Sequence, residues 1–431
     1  MTAFSKPRQG PASILIVNRV ASPDGRASAD CVNDLAGALA QDGWRVTVMS
    51  SDYPARGDRS RIGAVTYVRA GPRLDPNGRP NPIGYSRCLF GLWRRAGSLA
   101  PHDVVLTLSD PPFLAALGWR LARRWNAAAL HWSQDLYPDL FKINGGRALA
   151  ALAPALRPLG RAVLRRQDRI IAVSRDMADQ LTATGVPGKR IRYIPNWPLM
   201  DLQPLDPDAP SRLRRSLGWD DKFIILYAGN LGLCHPAQGW LAAAKELQDR
   251  APHVGFLVVG DGRRRGEIEA AIARHSLANV RLLPKQARSA LPDLMAAGHM
   301  HMCVVDSRAA GLMQPHKLNS AIACARPVLY LGPRTPGIEQ AIELGGNGVI
   351  VPPEDAGAIA DSIARFANDS TLWRRSCAAA AGMSGWVGRD TGLRRFLTLL
   401  EGSLPVSAAR AHALADAEEA APGTFVGAGD D

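Results

Sequence analysis

Clustered cysteines, long apolar runs and lysine are scarce in this chain of 431 residues. Its six cysteines contain no Cys-x-x-Cys spacing, which argues against a disulfide scaffold and against a cysteine-rich zinc site. No run of 18 uncharged apolar residues occurs, so we expect no membrane-spanning helix. Residues 1–9 lack the apolar segment of a secretory signal, which together with the cysteine usage favours the reducing cytoplasm.

Glutamate is absent from the first 195 residues, and the charge of the chain is uneven. Residues 1–195 hold 28 of the 52 basic and 14 of the 39 acidic residues, a net charge of +14, whereas residues 196–431 carry −1. A bias for arginine is evident, since only 7 basic residues are lysines, but it does not explain why one half is basic. A basic half indicates an anionic partner. No nucleic-acid-binding motif occurs, so we expect no nucleic acid as that partner.

One segment of the basic half suits a membrane surface. Residues 148–168 are apolar at first and then carry basic side chains at helix spacing, namely Arg157, Arg161, Arg165 and Arg166. Such a helix can lie on an anionic bilayer; the alternative is a core-packing helix with a solvated arginine face. Pro154 and Pro158 predict that the helix is bent or split.

Short β-rich runs alternate with amphipathic segments in both halves. The predicted strands of the first half are residues 14–17, 46–50, 65–69, 104–108, 128–132, 169–173 and 192–194. Those of the second half are residues 223–228, 256–259, 280–283, 301–305, 328–331 and 349–351. This repeated β-α alternation predicts an α/β fold with two Rossmann-like parallel-sheet domains, whose ligands bind in a cleft at the carboxyl ends of the strands.

Proline marks the boundary between the halves. Five prolines within residues 195–210 exclude a helix or strand interior there. We therefore expect a first domain over 12–195, a hinge over 196–210 and a second domain over 211–385. The Ala-, Gly- and acid-rich residues 404–431 predict a disordered tail.

Two glycine turns and one lysine of the second half point to phosphate chemistry. The turns are Gly229-Asn230-Leu231-Gly232 and Gly260-Asp261-Gly262, each directly after a predicted strand. Glycine lets the backbone approach a phosphate closely, although ordinary tight turns use it too. Pro315 suits the start of a helix, and Lys317 would then lie near a helix N-terminus, where a cation is unfavourable without an anion. This predicts a nucleotide-diphosphate site; the alternative is an exposed lysine.

These motifs resemble glycosyltransferase family 4, the retaining transferases with the GT-B fold. The matching pieces of the second half are Tyr227-Ala-Gly-Asn-Leu-Gly232, Val259-Gly-Asp-Gly262, Pro315-His-Lys-Leu318, Ala325-Arg-Pro-Val328 and Gly348-Val-Ile-Val-Pro-Pro-Glu-Asp355. Those of the first half are residues 14–17 and 38–48, His131-Trp-Ser-Gln-Asp-Leu-Tyr-Pro138, Ile171-Ala-Val-Ser174 and Ile194-Pro-Asn196. The resemblance covers about residues 12–400 and is strongest to the exopolysaccharide and colanic-acid type.

The resemblance implies a metal-independent, retaining transfer of sugar without a cofactor. A UDP- or GDP-linked sugar would be held by the second domain, and a lipid-linked or polysaccharide acceptor by the first, at the inner membrane face, in cell-surface or exopolysaccharide biosynthesis. A final helix over 386–403 would cross back onto the first domain. The implied donor-binding residues are Gly229, Asn230, Gly260, Asp261, Gly262, Pro315, His316, Lys317, Leu318 and Asn319.

The first domain supplies the remaining candidates. Gly25, Arg26 and Ser28 match the acceptor loop of the family. His131 and Asp135, expected at a strand end facing the cleft, are the candidate catalytic residues. Asp135 would accept a proton or bind an acceptor hydroxyl, the alternative being a carboxylate that caps the following turn.

The sequence departs from the family at two places. The family's two glutamates, eight residues apart, align with Leu312 and Ser320, so both carboxylates are missing, and Gln314 and Asn319 are the polar substitutes nearby. The family's basic residue after the first glycine turn is also unclear, with His235 or Gln238 in that stretch. These departures leave open a non-catalytic nucleotide-sugar-binding protein. A GT-B sugar-nucleotide epimerase is a third alternative, although the acid clusters of such enzymes are lacking.

Overall fold

Each half of the chain folds around its own parallel sheet. A computed structural model describes residues 11–21, 27–54, 57–72, 82–198, 202–208 and 210–404. The predicted tail beyond residue 404 and the predicted acceptor residues Gly25 and Arg26 lie outside the described residues.

The first sheet has eight strands. They are β1 (Ser13–Val17), β2 (Arg45–Ser50), β3 (Arg59–Ile62), β4 (Val65–Arg69), β5 (Val104–Leu108), β6 (Ala128–Ser133), β7 (Arg169–Ala172) and β8 (Ile191–Tyr193). Their order is β3-β4-β2-β1-β5-β6-β7-β8, and only β3 is antiparallel to its neighbour. Strands β1 and β5 are buried along their whole length because helices cover both faces, which is why they are continuous apolar runs in the sequence.

The helices of the first half form two layers. They are α1 (Ala27–Gln41), α2 (Pro82–Ala96), α3 (Leu114–Trp125), α4 (Phe141–Asn144), α5 (Gly146–Leu164) and α6 (Arg175–Ala183). Helices α2 and α3 pack on the sheet face that carries Leu15 and Val17, and α5 packs against α3. Helices α1 and α6 cover the opposite face, which carries Ile14 and Ile16.

Two predictions for the first half need correction. The segment predicted to be bent or split is not split, because it forms one helix, α5, which contains both Pro154 and Pro158. Both prolines are exposed, so solvent can bond the carbonyl groups that a proline leaves without a partner. Strand β3 was not among the predicted strands because Arg59-Ser60-Arg61-Ile62 has no apolar alternation, and it forms the exposed edge of the sheet.

The second sheet has six strands, all parallel. They are β9 (Phe223–Ala228), β10 (Val254–Val259), β11 (Val280–Leu283), β12 (Met300–Val304), β13 (Val328–Leu331) and β14 (Gly348–Val351), in the order β11-β10-β9-β12-β13-β14. The helices are α7 (Arg212–Ser216), α8 (Gln238–Arg250), α9 (Arg265–His275), α10 (Leu291–Ala297), α11 (His316–Ala323), α12 (Pro336–Ile342), α13 (Ala356–Asn368), α14 (Ser370–Val387) and α15 (Arg389–Glu401). The predicted α/β fold with two parallel-sheet domains is confirmed, and every predicted strand is present within two residues at each end.

The last helix belongs to the core of the first half. Leu393, Phe396 and Leu400 of α15 are buried there, and the Phe396 ring lies 4.5 Å from that of Trp132. Glycine at position 392 lets α15 lie against Trp197, because a Cβ at that position would lie 2.4 Å from the Trp197 ring. The chain therefore crosses between the halves twice, at the hinge and before α15.

Hydrogen bonds join the two halves at the carboxyl edges of their sheets. The backbone N–H of Leu136 donates to the carbonyl of Leu312 over 2.8 Å. On α6 of the first half, the carboxylate of Asp176 accepts from the Thr335 hydroxyl over 2.7 Å and from the Gly337 N–H over 2.9 Å. The cleft is therefore closed in this structure.

Candidate functional site

The two glycine turns of the second half pack on each other. The N–H of Gly229 donates to the carbonyl of Val259 over 2.8 Å, and that of Leu231 donates to the carbonyl of Asp261 over 2.9 Å. A Cβ at residue 260 would lie 2.0 Å from the Gly229 carbonyl oxygen, so only glycine fits there. The predicted glycines Gly260 and Gly262 therefore hold the shape of the first turn, because they let the two backbones touch.

Lys317 lies over the first glycine turn. It is the second residue of α11, and its Nζ is 4.6 Å from the centre of the Tyr227 ring. A Cβ at residue 229 would lie 3.0 Å from Lys317 Cε, so a side chain there would crowd the lysine. Gly229 also has a φ of 133°, a backbone conformation that favours glycine. No carboxylate among the described residues forms an ion pair with this ammonium, and burial lowers the pKa of Lys317 to about 8. A half-buried cation at a helix N-terminus is costly unless an anion joins it.

A basic side chain of the second turn reaches the loop after the first turn. Arg264 donates through Nη2 to the carbonyl of Leu233 over 3.1 Å and through Nη1 to Glu267 over 2.7 Å. Its own N–H donates to the Leu231 carbonyl over 3.0 Å, so the backbone of Arg264 is tied to the first turn. The sequence favoured a solvated helix start for this arginine, whereas its side chain is only 17% exposed.

Neither sequence candidate for that basic position supplies a cation. The ring Nδ1 of His235 lies 2.5 Å from the carbonyl oxygen of Val304. Burial, together with the nearby charge of Lys317, lowers the pKa of His235 to about 3, so its ring is neutral at pH 7. Gln238 is exposed and donates to Glu267. Arg264 and Lys317 are therefore cations that act on this loop, as is Arg308, whose charge reaches Cys234.

The remaining predicted donor residues have mixed surroundings. Pro315 is the residue before α11, Leu318 is fully buried in the core, and Asp261 is exposed in an ion pair with Arg265 at 3.6 Å. Asn230 uses its carbonyl to accept from the Tyr227 hydroxyl over 2.7 Å. Their contacts with a donor remain predictions.

A set of amides ties the start of α11 to the first half. Gln134 and Asn196 bond reciprocally through their side-chain amides at 3.1 and 2.7 Å. The Asn196 amide also lies 3.1 Å from His316 Nε2, and Asn319 Nδ2 donates to the Asn196 carbonyl over 2.5 Å. The side-chain nitrogen of Asn319 is thus bonded across the domain boundary rather than left open to a donor.

Two polar atoms near Lys317 are buried without a hydrogen-bond partner among the described residues. They are Oε1 of Gln314 and Nδ1 of His316, on either side of Pro315. Burial lowers the pKa of His316 to about 4, so its ring is neutral. Unsatisfied polar atoms in a buried place are costly. Gln314 lines a small cavity between the halves together with Ser174, Asp176 and Thr335, where a polar ligand would supply the missing bond of its Oε1.

The structure corrects the predicted position of His131. It lies inside β6 rather than at the strand end, is only 5% exposed, and its Nδ1 is 3.0 Å from the Thr107 hydroxyl of β5. Burial lowers the pKa of His131 to about 4. A neutral imidazole bonded to Thr107 supports the pairing of β5 with β6, and a role of His131 in the cleft stays a prediction.

Asp135, in contrast, lies between the halves. Its residue pairs with Met313 in an isolated antiparallel bridge, and its N–H donates to the Ser109 hydroxyl over 3.2 Å. Burial, and then the neighbouring Asp110, raise the pKa of the Asp135 carboxyl to about 7. Asp110 itself is held by Arg19, which donates to both carboxylate oxygens over 2.8 and 2.7 Å. Ser28, the predicted acceptor residue that is described, is half-buried in the first turn of α1.

Family models match both halves of the chain. The glycosyl transferase 4-like domain matches residues 27–197, and the glycosyl transferases group 1 domain matches residues 222–369. Together the two models cover about three quarters of the chain.

Curated relatives carry the same kind of domain. A putative colanic acid biosynthesis glycosyl transferase, WcaI of Escherichia coli K12, is 30% identical over 268 residues, which is 59% of this chain and 63% of the relative. The chain thus spans less than two thirds of the length of that relative. A D-inositol 3-phosphate glycosyltransferase of Streptomyces scabiei is 28% identical over 346 residues, 76% of this chain and 74% of the relative.

Solved structures share the fold at low identity. Sucrose-phosphate synthase from Thermosynechococcus elongatus superposes with a TM-score of 0.69 at 17% identity, over 91% of this chain and 98% of its own. HepE of Anabaena, in complex with UDP-glucose, superposes with a TM-score of 0.67 at 17% identity, over 90% of this chain and 99% of its own.

Proposed function

The chain belongs to the family 4 glycosyltransferases of GT-B fold, and from this we propose that it moves a sugar from a nucleotide-sugar donor to an acceptor hydroxyl. The observation that carries the proposal is the Lys317 ammonium, half-buried at the start of α11 over Gly229 and without an ion-pair partner among the described residues. A donor diphosphate supplies the anion that this place lacks.

The chemistry assigned to these residues is stabilisation of the leaving group. Breaking the bond between the sugar and the nucleotide places negative charge on the diphosphate. Lys317 and Arg264, with the N-terminal N–H groups of α11, would balance that charge without a metal ion. The incoming hydroxyl would approach from the face that the nucleotide leaves, so the anomeric configuration is retained. The use of a nucleotide-sugar donor is supported by two similar proteins: the fold neighbour HepE was solved with UDP-glucose, and a mannosyltransferase relative from Mycolicibacterium smegmatis is GDP-mannose-dependent.

The acceptor side is proposed to work at an anionic membrane surface. Helices α2, α3 and α5 contain no Asp or Glu and lie side by side on the first half. Large apolar side chains project from this face, with exposed fractions from 53% to 69%: Ile83, Phe90, Leu152 and Leu159. Exposed arginines accompany them, among them Arg94, Arg123, Arg161, Arg165 and Arg166. Apolar residues within a basic field are the pattern of a protein that lies on a lipid surface.

A lipid-linked or polysaccharide acceptor fits this placement, because its growing end would be presented at the same surface. We therefore place the protein at the inner face of the membrane, in exopolysaccharide or cell-surface biosynthesis, as the relation to the colanic acid transferase suggests. None of the described helices is both long enough and apolar enough to cross a bilayer.

A second candidate function is nucleotide-sugar binding without transfer. The specific observation in its favour is the absence of the two family carboxylates, at Leu312 and Ser320. Leu312 packs among apolar residues of both halves, so its side chain offers no hydrogen bond to a sugar. Loss of a charged hydrogen bond costs about 1.5–3 kcal/mol, which slows transfer or abolishes it if nothing replaces the carboxylate.

One experiment separates the two functions. Thermal unfolding is measured with UDP, GDP, UDP-glucose and GDP-mannose at millimolar concentration, since a ligand of the native state raises the melting temperature. The nucleotide that raises it identifies the donor base. Release of that nucleotide from its sugar conjugate is then followed with an extract of bacterial lipid-linked sugars as acceptor. Stabilisation with release supports the transferase, stabilisation without release supports the binding protein, and no stabilisation by any nucleotide contradicts both.

A further inference from the structure

The missing carboxylate of the donor-sugar pocket has a neighbour in the first half. Leu312, where the family has a glutamate, accepts a backbone hydrogen bond from Leu136 over 2.8 Å. The next residue, Met313, forms the antiparallel bridge with Asp135. A carboxyl group of the first domain is therefore fixed one residue away from the place where the second domain has lost one.

The position of Asp135 is set by its backbone and not by its carboxyl group. Its N–H donates to Ser109, and Met313 holds it from the other side. Its carboxylate oxygens make no ion pair and no hydrogen bond with the described residues, whereas the neighbouring Asp110 is held by Arg19. A carboxyl group that the fold has placed but not bonded is free to bond a ligand.

Asp135 also acts on the loop that follows Gly229. Burial, together with the charge of Asp135, raises the pKa of the Cys234 thiol to about 12. The same loop contains His235, which feels the charge of Lys317. Asp135 of the first half and Lys317 of the second half thus act on neighbouring residues of one loop. A sugar and the diphosphate attached to it would need two such groups close together.

We propose that Asp135 replaces the lost glutamate and accepts hydrogen bonds from hydroxyl groups of the donor sugar while Lys317 holds the diphosphate. This inference rests on the proposed function and names the group that binds the sugar. The ligand class is a hexose joined to a nucleoside diphosphate. Because Asp135 comes from the first half and Lys317 from the second, the sugar is bound only when the halves are together, whereas the nucleotide needs the second half alone.

The test separates affinity for the sugar from affinity for the nucleotide. Calorimetric titration compares wild-type protein and Asp135→Asn with the nucleotide that stabilises the protein and with its hexose conjugate. For Asp135→Asn we expect an unchanged Kd for the nucleotide and a Kd for the conjugate that rises about tenfold, which is the loss of one charged hydrogen bond. The matched control is Asp168→Asn, a carboxyl group directly before β7, at the amino edge of the sheet, which accepts from the Ala129 N–H over 2.8 Å; this variant should leave both affinities unchanged.

Three results decide the matter. If Asp135→Asn binds the conjugate as tightly as wild type, the inference is overturned while the proposed function stands. An equal loss for nucleotide and conjugate also overturns it, because the effect is then not specific to the sugar. If wild-type protein binds neither ligand, the proposed function fails and this inference fails with it. A melting temperature at or above the wild-type value shows that the variant is folded, as expected when a buried carboxyl without a partner is neutralised.

Discussion

The second half of the molecule brings glycine backbone together with the cations Lys317 and Arg264 at the carboxyl edge of its sheet, whereas the first half has carboxyl groups and amides at that edge. Both halves are doubly wound parallel sheets that meet at their carboxyl edges. In the second half, Gly229 and Gly260 bring two turns together and leave Lys317 above them. In the first half, Asp110 and Asp135 follow adjacent strands, and only Asp110 has a cation.

The same contrast holds on the outside. The basic half exposes apolar side chains among arginines on α2 and α5, while the second half has nearly balanced charge. Two domains of the same fold type therefore differ in their chemistry, which fits the proposal that the second half holds an anion while the first half meets sugar hydroxyls and a charged surface. Substitution of the arginines of the first half, substitution of Lys317 in the second half and a change of pH each test one of these differences.

The largest expected effect is on membrane binding. Replacing Arg161, Arg165 and Arg166 with glutamine should weaken binding to phosphatidylglycerol-rich vesicles about 100-fold, at about 1 kcal/mol per charge near an anionic surface. Co-sedimentation with vesicles of rising phosphatidylglycerol content measures the change. The charge-matched control replaces three exposed arginines of the second half, Arg274, Arg365 and Arg375, and should leave binding unchanged. Equal losses in both triple variants would mean that net charge, and not this face, binds the lipid.

A second prediction removes the cation of the second half. Lys317→Ala should weaken binding of the nucleoside diphosphate about 10- to 100-fold, the usual value of a charged hydrogen bond to a buried ligand. The melting temperature without ligand should not fall, because the variant removes a half-buried ammonium that has no ion-pair partner among the described residues. Calorimetric titration and thermal unfolding measure the two effects. Lys245→Ala, an exposed lysine on α8, is the control; unchanged nucleotide affinity in Lys317→Ala would refute the phosphate assignment.

The sequence predicts the parts of this contrast that are local. Strand periodicity predicts both sheets because each buried strand is a short apolar run, and the glycine turns and Lys317 follow from residue type and position after a strand. The chemistry that depends on two distant segments is not predictable in this way. Arg264 looks like a solvated helix start until the second glycine turn is seen to pack on the first.

His131 and Asp135 show the same limit within one motif. Both were expected at a strand end, but β6 continues to Ser133, so His131 stays inside the sheet against Thr107. Asp135 lies beyond the strand and meets Met313 of the other half. The pairing of two remote segments, which leaves no local signal, distinguishes the residue inside the strand from the one that meets the other half.

The smallest expected effect is a pH dependence of nucleotide affinity. Burial lowers the pKa of Lys317 to about 8 in the ligand-free protein, and a bound diphosphate should raise it again. Above pH 8 the free protein loses the ammonium, so binding must take up a proton and the Kd should rise by up to tenfold per pH unit. Between pH 7 and pH 8 the Kd should be flat, since the terminal phosphate of the nucleotide titrates below that range. Titration in buffers of different ionisation enthalpy detects the proton.

Folding stability should respond with the opposite sign over the same range. An unfolded lysine has a pKa near 10.4, so between about pH 8 and 10.4 the unfolded chain binds more protons at Lys317, and the contribution of this residue to stability rises with pH. Buried thiols such as Cys303, whose pKa burial raises to about 12, contribute with the opposite sign because they lose their protons in the unfolded chain near pH 8.5. The lysine contribution is therefore the difference between wild type and Lys317→Met, and that difference should grow in favour of wild type from about pH 8 to 10.4. A Kd that stays constant from pH 7 to pH 9.5 would show that the second half does not hold its anion through this lysine.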